Sequence, residues 1–273
     1  MINTNLFSLK NKVIVVTGGT GILGNVFVKS IADAGGIVGI LGRNTAIAEV
    51  RANAILNAGG EAIALTADVT KKLELEKACE LILNRYGRID GLVNAAGGNM
   101  PEAIVQPSED IFNLNLDGLK DVMNLNLWGT VLPTQVFGKV LAKSESASIV
   151  NISSMASQRA ITKILGYGMS KAAIDNYTKW FALELANRYH DKIRINAIAP
   201  GFFLTEQNRT LLTNTDGSTT ERGAKVMNQT PYKRFGNPDE LAGTLVWLLS
   251  DASKFVNGTV VNVDGGFMIN SGV

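Results

Sequence analysis

The chain has 273 residues, of which 46% are apolar and 18% are charged, and its formal net charge is +2. This length and apolar content suit one large α/β domain or two small ones with a substantial buried core. Because no block of five or more like charges occurs, nothing electrostatic points to nucleic acid or to an anionic membrane. No apolar run reaches the roughly 18 residues that a membrane helix needs, so we expect no membrane-spanning segment.

The chain contains one cysteine, Cys79, and one histidine, His190. This excludes an internal disulfide, a cysteine metal cluster and a multi-histidine metal site, so we expect no bound metal. Residues 1–11 are polar and lack the apolar core of a signal peptide. We therefore expect a cytoplasmic protein.

Apolar, β-branched runs alternate with segments of helical periodicity along the chain. The runs predict strands at residues 12–17, 36–41, 61–66, 89–94, 147–152, 193–199 and 258–263. The periodic segments predict helices at residues 25–34, 45–58, 71–86, 125–142, 170–189 and 239–249. Strand and helix alternating this often predict an α/β fold with a doubly wound parallel sheet of about seven strands. With no linker and no repeat, residues 1–273 are expected to form one domain.

Two segments break this alternation. Residues 99–118, rich in Asn, Asp and Pro, lie between the fourth strand and the next helix and are interpreted as an insertion. Residues 202–236 separate the sixth strand from the last helix and are expected to be structureless. Such a stretch is usually either a mobile lid or disordered. Because it follows the C-terminal end of a strand, where doubly wound folds bind ligands, we expect a substrate lid.

A glycine-rich loop follows the first strand and opens the first helix, with the sequence Thr17-Gly18-Gly19-Thr20-Gly21-Ile22-Leu23-Gly24. Glycines allow a tight turn and close backbone approach to a pyrophosphate. The helix N-terminus adds amide donors and a favourable dipole for phosphate. The alternative is merely a tight turn, but the place in the predicted fold favours a dinucleotide site formed by Gly18, Thr20, Gly21, Ile22 and Gly24.

Gly42, Arg43 and Asn44 stand at the end of the second strand. An NAD site usually carries a carboxylate here for the ribose 2′-hydroxyl, whereas an NADP site offers a cation for the 2′-phosphate. Gly42 supplies no carboxylate, and Arg43 can bind a phosphate through charge-assisted hydrogen bonds. We therefore expect NADP(H) to be favoured over NAD(H); the alternative is that Arg43 is an ordinary surface residue that begins a helix.

Short motifs after the third and fourth strands complete the expected cofactor site. In the first, Asp68-Val69, the carboxylate can accept a hydrogen bond from the adenine amino group, cap the next helix, or do both. The second, Asn94-Ala95-Ala96-Gly97, consists largely of small residues that let a cofactor lie against the backbone. Alternatively, it is only a strand-terminating turn.

Tyr167 and Lys171 are four residues apart, which places them on one face of a helix. A nearby ammonium lowers the pKa of a phenol from its usual value of about 10. Such a pair can donate and accept a proton near neutral pH. The same spacing also occurs by chance on solvated helix faces.

Two further motifs join this set: Ser154 lies thirteen residues before Tyr167, and Pro200-Gly201-x-x-x-Thr205 follows the sixth strand. Together with the glycine-rich loop, Asn-Ala-Ala-Gly and Tyr-x-x-x-Lys, they resemble the short-chain dehydrogenase/reductase family from about residue 8 to Gly266. The resemblance implies a Rossmann-like fold. It also implies an NAD(P)-dependent oxidoreductase that transfers a hydride between nicotinamide and a carbonyl or secondary alcohol.

The glycine spacing departs from the pattern usual for family members of this length. Gly18-x-x-Gly21-x-x-Gly24 is the spacing associated with the longer, extended branch, and Ile22 occupies the usual place of the middle glycine. The sequence therefore predicts nucleotide binding but does not determine which residues contact the phosphates.

The resemblance also implies a role for each catalytic residue. Tyr167 would protonate the carbonyl oxygen during reduction, while Lys171 would lower its pKa and hydrogen-bond the nicotinamide ribose. Ser154, chosen over Ser153 by its spacing, would orient and polarise the substrate oxygen. Asn126 would hold a water that links Lys171 to solvent, unless it is a buried amide that satisfies helix backbone. The nicotinamide carboxamide would be held by Pro200, Gly201 and Thr205.

A closer similarity, to D-mannonate oxidoreductase-like members that reduce fructuronate and to gluconate 5-dehydrogenases, rests on residues 99–118 and 126–135. It implies a sugar-acid substrate such as D-mannonate or D-fructuronate. A sugar-acid carboxylate needs a cation, preferably an arginine. Among the basic residues that flank the expected cleft we select Arg159, five residues after Ser154, as the partner of the substrate.

Two alternative functions remain open. A 3-oxoacyl-[acyl-carrier-protein] reductase would need a basic patch beside the cleft, which a net charge of +2 does not favour. A catalytically inactive NAD(P)-binding regulator would have degenerate catalytic residues, whereas Asn126, Ser154, Tyr167 and Lys171 are all present.

The helix that contains Lys171 carries more apolar residues than one contact with the sheet requires. They are Ala172, Ala173, Ile174, Tyr177, Trp180, Phe181, Leu183, Leu185 and Ala186. We therefore expect a partner helix as well as the sheet. The family resemblance implies a homotetramer formed through this helix and the C-terminal strand that ends in Asp264-Gly265-Gly266.

Overall fold

The computed structural model describes residues 4–272, which fold around one seven-stranded parallel sheet. The strands are β1 (Val13–Thr17), β2 (Ile37–Gly42), β3 (Glu61–Thr66), β4 (Gly91–Asn94), β5 (Ala147–Ile152), β6 (Ile193–Pro200) and β7 (Val260–Val263). Their order is β3-β2-β1-β4-β5-β6-β7. The predicted doubly wound sheet is confirmed, and every predicted strand boundary lies within two residues of the observed one.

Helices cover both faces of the sheet. They are α1 (Ile22–Asp33), α2 (Thr45–Asn57), α3 (Lys72–Tyr86), α4 (Leu116–Met123), α5 (Gly129–Leu141), α6 (Leu165–Tyr189), α7 (Glu206–Leu212), α8 (Glu221–Gln229) and α9 (Ala242–Leu249). Successive side chains of a strand point to opposite faces. Accordingly, Val13 and Val15 of β1 pack with α3, α5 and α6, whereas Ile14 and Val16 pack with α1, α2 and α9. This two-sided burial explains the continuous apolar runs in the strand sequences.

Two helices begin five or more residues earlier than their periodicity predicts. Helix α6 begins at Leu165, so Tyr167 and Lys171 both lie within it. The helix predicted at residues 125–142 begins at Leu116, inside the segment interpreted as an insertion, and continues through a π-helical turn, Asn124–Trp128, into α5. Asn115 caps it by accepting a hydrogen bond from Gly118 N at 3.0 Å. Gly118 and the neighbouring aspartates have low helix propensity, which hid this first turn from the sequence pattern.

The expectation of a structureless segment at residues 202–236 is wrong, because it contains α7 and α8. Thr220 caps α8 by accepting a hydrogen bond from Gly223 N at 3.0 Å. An isolated bridge between Thr213 and Thr219 closes the connection between the two helices. Helices of seven and nine residues are too short to show clear periodicity over the usual window.

No helix within residues 4–272 combines the length and the apolar character needed to cross a membrane.

The strand order reverses direction between β1 and β4, which leaves a crevice at their C-terminal ends. The hydroxyl of Thr17, the last residue of β1, accepts hydrogen bonds from the amides of Ala95 at 3.1 Å and Ala96 at 3.2 Å. The ends of the two strands are therefore held together at the place where doubly wound folds bind ligands.

Candidate active site

Tyr167 and Lys171 lie one turn apart on α6. Lys171 is 4% exposed, and its Nζ lies 5.3 Å from the centre of the Tyr167 ring and donates to the carbonyl oxygen of Ile152 at 2.7 Å. Burial lowers the pKa of Lys171 to about 8, against the opposing effect of the Asp175 charge. The side chain thus titrates much closer to neutrality than an ordinary lysine.

The expected lowering of the Tyr167 pKa is wrong for this arrangement. Burial raises the pKa of the phenol, and a side-chain hydrogen bond with Ser154 opposes that rise without cancelling it. The physical reason is that the phenol loses hydration while the Lys171 ammonium is directed at the Ile152 carbonyl. Tyr167 is therefore held as a neutral acid, which suits proton donation to a carbonyl.

The structure brings Ser154 to Tyr167 and turns Ser153 elsewhere. The Ser154 hydroxyl shares a hydrogen bond with the Tyr167 phenol and also accepts from the amide of Ala156 at 3.2 Å. The Ser153 hydroxyl instead donates to the carboxylate of Asp175. The thirteen-residue spacing therefore predicts the serine that lies against the tyrosine.

Asn126 lies in the π-helical turn and is fully buried. Its Nδ2 donates to the carbonyl oxygens of Val122 at 2.8 Å and Gly98 at 2.7 Å, and its Oδ1 accepts from Gly98 N at 3.1 Å. The structure thus shows the alternative role, an amide that satisfies backbone groups. The water-holding role remains a prediction.

Gly97, at the end of the Asn-Ala-Ala-Gly motif, packs directly against the catalytic candidates. A Cβ atom at this position would lie 2.6 Å from Asn126 Oδ1 and 3.5 Å from Lys171 Nζ. Any side chain here would displace these groups. In the same motif, Asn94 Nδ2 donates to Thr134 and Asn151 at 2.9 Å each, so this amide ties β4 to its neighbours from inside the fold.

The glycine-rich loop forms an open cradle at the start of α1. A Cβ on Gly24 would overlap the carbonyl oxygen of Gly18, so these residues can approach only as glycines. Helix α1 begins at Ile22 after Gly21, which has no side chain to cap it. The first amides of the helix are therefore available to an anion. The Ile22 side chain is 38% exposed and lies outside the core.

The end of β2 has no space for an acidic side chain. A Cβ on Gly42 would collide with the Thr20 side chain, so Thr20 occupies the space where an acidic side chain would begin. Arg43 is exposed, and Asn44 caps α2 by accepting from Ile47 N at 3.1 Å. Sequence reasoning missed Arg51, whose Nη1 donates to the carbonyl oxygens of Gly19 and of Gly21, the latter at 2.8 Å. Nothing in the spacing distinguishes Arg51 from a solvated helix residue.

Asp68 does not cap α3, so that alternative is wrong; the N-cap residue is Lys71. The Asp68 carboxylate accepts from the amide and the hydroxyl of Thr70 at 2.8 and 2.7 Å. Burial raises its pKa, but the Thr70 hydrogen bonds and the charges of Arg43 and Lys71 together leave the pKa lowered. The neighbouring Val69 is buried in the core. Asp68 is thus an ionised acceptor close to the charge of Arg43.

The predicted carboxamide-binding residues follow β6. Gly201 N donates to Val263 O at 2.9 Å, which fixes the Pro200–Gly201 turn against the end of β7. Thr205 is the N-cap residue of α7, and its amide donates to Asn208 Oδ1 at 2.8 Å. These residues lie at the same edge of the sheet as the ends of β1 and β4.

Arg159 makes contacts that the sequence did not suggest. Its Nη1 and Nη2 donate to the carbonyl oxygens of Phe267 at 2.6 Å and Asn270 at 2.7 Å, and the guanidinium lies 5.4 Å from the centre of the Phe267 ring. The side chain therefore anchors the C-terminal segment. Its proposed contact with a substrate carboxylate remains a prediction.

The residues of the crevice fit a nicotinamide dinucleotide. A Cβ on Gly18, Gly19 or Gly24 would lie less than 3.0 Å from neighbouring atoms, and the start of α1 offers uncapped amides to a pyrophosphate. Arg43 and Thr20 would border the adenosine ribose, and Gly97 would let a flat ring lie against Lys171. When bound, such a cofactor supplies or accepts a hydride.

A family model described as enoyl-(acyl carrier protein) reductase matches residues 20–268. The chain belongs to the short-chain dehydrogenase/reductase family. Family membership confirms the resemblance seen in the motifs, and with it the prediction of an NAD(P)-dependent oxidoreductase that acts on CH–OH groups.

Other members of this short-chain family match along almost their whole length. The uncharacterized oxidoreductase UxuB of Bacillus subtilis (strain 168) is 43% identical over 97% of this chain and 98% of its own. A crystal structure of a putative D-mannonate oxidoreductase from Haemophilus influenza with bound NAD is 39% identical, with a TM-score of 0.89 and coverage of 97% and 98% of the two chains. A gluconate 5-dehydrogenase from Burkholderia cenocepacia J2315, in complex with NADP and tartrate, is 30% identical, with a TM-score of 0.85 and the same coverage.

Proposed function

We propose that this short-chain dehydrogenase/reductase interconverts a sugar acid and its keto acid, a pair such as D-mannonate and D-fructuronate, and prefers NADP(H). The observation that carries the proposal is the similarity to the putative D-mannonate oxidoreductase, which extends over 97% of this chain at 39% identity. A second neighbour, the gluconate 5-dehydrogenase from Burkholderia cenocepacia, was crystallised with tartrate, a polyhydroxylated acid.

The start of the segment at residues 99–118 supports a substrate rich in hydroxyl groups. Asn99 follows Gly97 and Gly98, which lie against the Asn126 side chain. The next residue, Met100, packs against the same small apolar cluster as Tyr167 does. Its Oδ1 is buried and has no hydrogen-bond partner among the described residues. A buried unpaired acceptor is unfavourable by about 1–3 kcal/mol, and a substrate hydroxyl would relieve this.

Tyr167 would supply the proton for reduction of the keto acid. Its raised pKa keeps the phenol protonated, and the Ser154 hydroxyl beside it would hold the substrate oxygen in place. As the proton leaves, the Lys171 ammonium would stabilise the phenolate that forms. In the reverse direction the phenolate would take the alcohol proton. The hydride travels between the substrate carbon and the bound nicotinamide.

Arg43 supports the NADP preference, because it stands beside the ribose position where Gly42 supplies no carboxylate. The neighbours do not agree on this point, since one was crystallised with NAD and another with NADP. The preference therefore depends on residues 20, 42 and 43 of this chain.

We further propose that residues 1–273 form one oxidoreductase domain that works as a cytoplasmic homotetramer, with residues 202–236 as its substrate lid. Trp180 and Leu183 on α6 are 57% and 59% exposed in the single chain, which leaves an apolar strip for a partner helix. Light scattering that shows a monomer at micromolar concentration would contradict the tetramer.

The direct test is a panel of sugar acids, polyols and acyl thioesters assayed with NADPH and NADH by absorbance of the reduced cofactor. We expect the highest kcat/KM on a sugar-acid pair. Asn99→Ala should raise the KM for that substrate about tenfold, whereas Asn113→Ala, at an exposed position in the same segment, should not. A preference for acyl thioesters would favour the acyl-carrier-protein reductase, and cofactor binding without any turnover would favour the inactive regulator.

A further inference from the structure

A buried carboxylate stands directly behind the catalytic candidates. Asp175 lies on α6, four residues after Lys171, and is 7% exposed. Its Oδ1 accepts a hydrogen bond from the Ser153 hydroxyl, and its Oδ2 accepts one from the Ser157 hydroxyl at 2.6 Å. Neither the family motifs nor the proposed mechanism uses this residue.

The two serines bracket Ser154. All three stand on the turn between β5 and α6, and the amide and hydroxyl of Ser157 both approach the Ser154 carbonyl oxygen, at 3.0 and 2.7 Å. Through Ser153 and Ser157, Asp175 therefore holds both ends of this turn against α6. Since Tyr167 is on α6, the same contacts fix the distance between the Ser154 hydroxyl and the phenol.

The charge of Asp175 also reaches Lys171, and it opposes the lowering of the Lys171 pKa that burial causes. The groups that face this region from neighbouring elements are neutral: Ser153, Ser154 and Ser157 after β5, and Asn126 in the π-helical turn.

Charged residues on the other elements packed against α6 lie elsewhere. Asp117, Lys120 and Asp121 of α4 are exposed. Arg194 of β6 donates to the carbonyl oxygens of Leu248 and Ser250. Asp175 is thus the charge placed to act on Lys171.

We propose that Asp175 is a positioning residue of the active site, which anchors the turn bearing Ser154 to α6 and places a negative charge one helical turn from Lys171. The inference rests on the proposed function, in which Lys171 acts as an ammonium. A neutral amide in this position could also accept a hydrogen bond from one of the serines. The carboxylate adds the electrostatic effect, and that effect can be measured separately.

The first experiment measures the ionisation of Lys171 without any substrate. In protein labelled with 13C at lysine Cε, the Lys171 resonance, assigned by its loss in Lys171→Met, is titrated in wild type, Asp175→Asn and Asp175→Glu. We expect the titration of Asp175→Asn to move to lower pH and that of Asp175→Glu, which keeps the charge, to stay near wild type. An unmoved titration in folded Asp175→Asn would overturn the electrostatic part. Because this readout needs no turnover, a failure of the proposed function stays distinguishable.

The second experiment uses Ser153→Ala and Ser157→Ala, which each lose one hydroxyl and keep the carboxylate, so it stays informative if Asp175→Asn does not fold. We expect kcat on the best substrate to fall about tenfold, because small misplacements of catalytic groups are costly to the rate. The alkaline limb of kcat/KM should stay in place, whereas in Asp175→Asn it should move to lower pH. If both serine variants keep kcat within twofold of wild type, the anchoring role is wrong.

Discussion

Replacing Arg43 by alanine should change the cofactor preference of this enzyme more than any other single substitution at the adenosine end of the crevice. A charge-assisted hydrogen bond contributes about 1.5–3 kcal/mol, and each 1.4 kcal/mol is a factor of ten in affinity. Arg43 is exposed, so solvent screening places the effect at the lower end. We therefore expect the KM for NADPH to rise about tenfold and the KM for NADH to change less than twofold.

Arg43 could also change cofactor affinity indirectly, through its effect on Asp68. Its charge, like that of Lys71, lowers the pKa of Asp68, the predicted acceptor for the adenine amino group. Adenine is common to both cofactors, so a change that acts through Asp68 should weaken NADPH and NADH equally. Lys71→Ala is therefore the matched control, since it removes the other cation that acts on Asp68. The assay is initial velocity against cofactor concentration at a fixed, saturating substrate concentration. Equal rises for both cofactors in Arg43→Ala would refute the 2′-phosphate assignment.

Three further predictions concern other parts of the site. The pKa of Lys171 falls from 10.5 to about 8 on folding, so between pH 8 and 10.5 the unfolded chain binds more protons than the folded protein. The free energy of unfolding of the wild type should therefore rise with pH in this range relative to that of Lys171→Met. Urea midpoints that run parallel for the two proteins between pH 8 and 10.5 would exclude this. Gly24→Ala should abolish cofactor binding, measured by NADPH fluorescence, since the new methyl would overlap the Gly18 carbonyl, whereas Gly138→Ala, with open space around it, should bind normally. Arg159→Ala should make the C-terminal segment accessible to limited proteolysis, because the variant loses the contacts with Phe267 and Asn270. If the KM for the sugar acid instead rises tenfold or more and proteolysis is unchanged, Arg159 binds the substrate carboxylate rather than anchoring this segment.

The sheet could be predicted from the sequence because its inner strands, β1, β2, β4, β5 and β6, are buried on both faces. Such strands leave continuous apolar runs, as in β1, and the boundaries follow from where the runs stop. Helices α4, α7 and α8 could not be predicted in the same way. Helix α4 depends on the Asn115 cap and contains Gly118, while α7 and α8 are too short for periodicity to show.

The arrangement of Ser154, Tyr167 and Lys171 could be predicted because local spacing determines it. One helical turn relates Tyr167 to Lys171, and the end of a strand places Ser154. The same rule, applied one turn further, leads from Lys171 to Asp175, so this carboxylate had a signal in the sequence. Arg51 had none, because its contacts with Gly19 and Gly21 depend on how α2 packs beside the loop.

The electrostatics of the site could not be predicted from spacing alone. Proximity to Lys171 suggested a lowered pKa for Tyr167, but burial raises the pKa of the phenol and lowers that of the ammonium. Likewise, Arg159 had the right position in the sequence for a substrate contact. Its guanidinium instead donates hydrogen bonds to carbonyl oxygens more than a hundred residues further along the chain, and no local motif predicts such contacts.

The central claim is that Tyr167 is the proton donor of a hydride-transfer site, and Tyr167→Phe tests it most directly. The substitution removes one hydroxyl and keeps the ring that packs against the apolar cluster of Ala103, Leu119 and Val122. We predict that kcat on the best substrate falls by about 10²–10⁴ while the Kd for NADPH stays within twofold of wild type. Turnover within tenfold of wild type, with cofactor binding intact, would contradict the account.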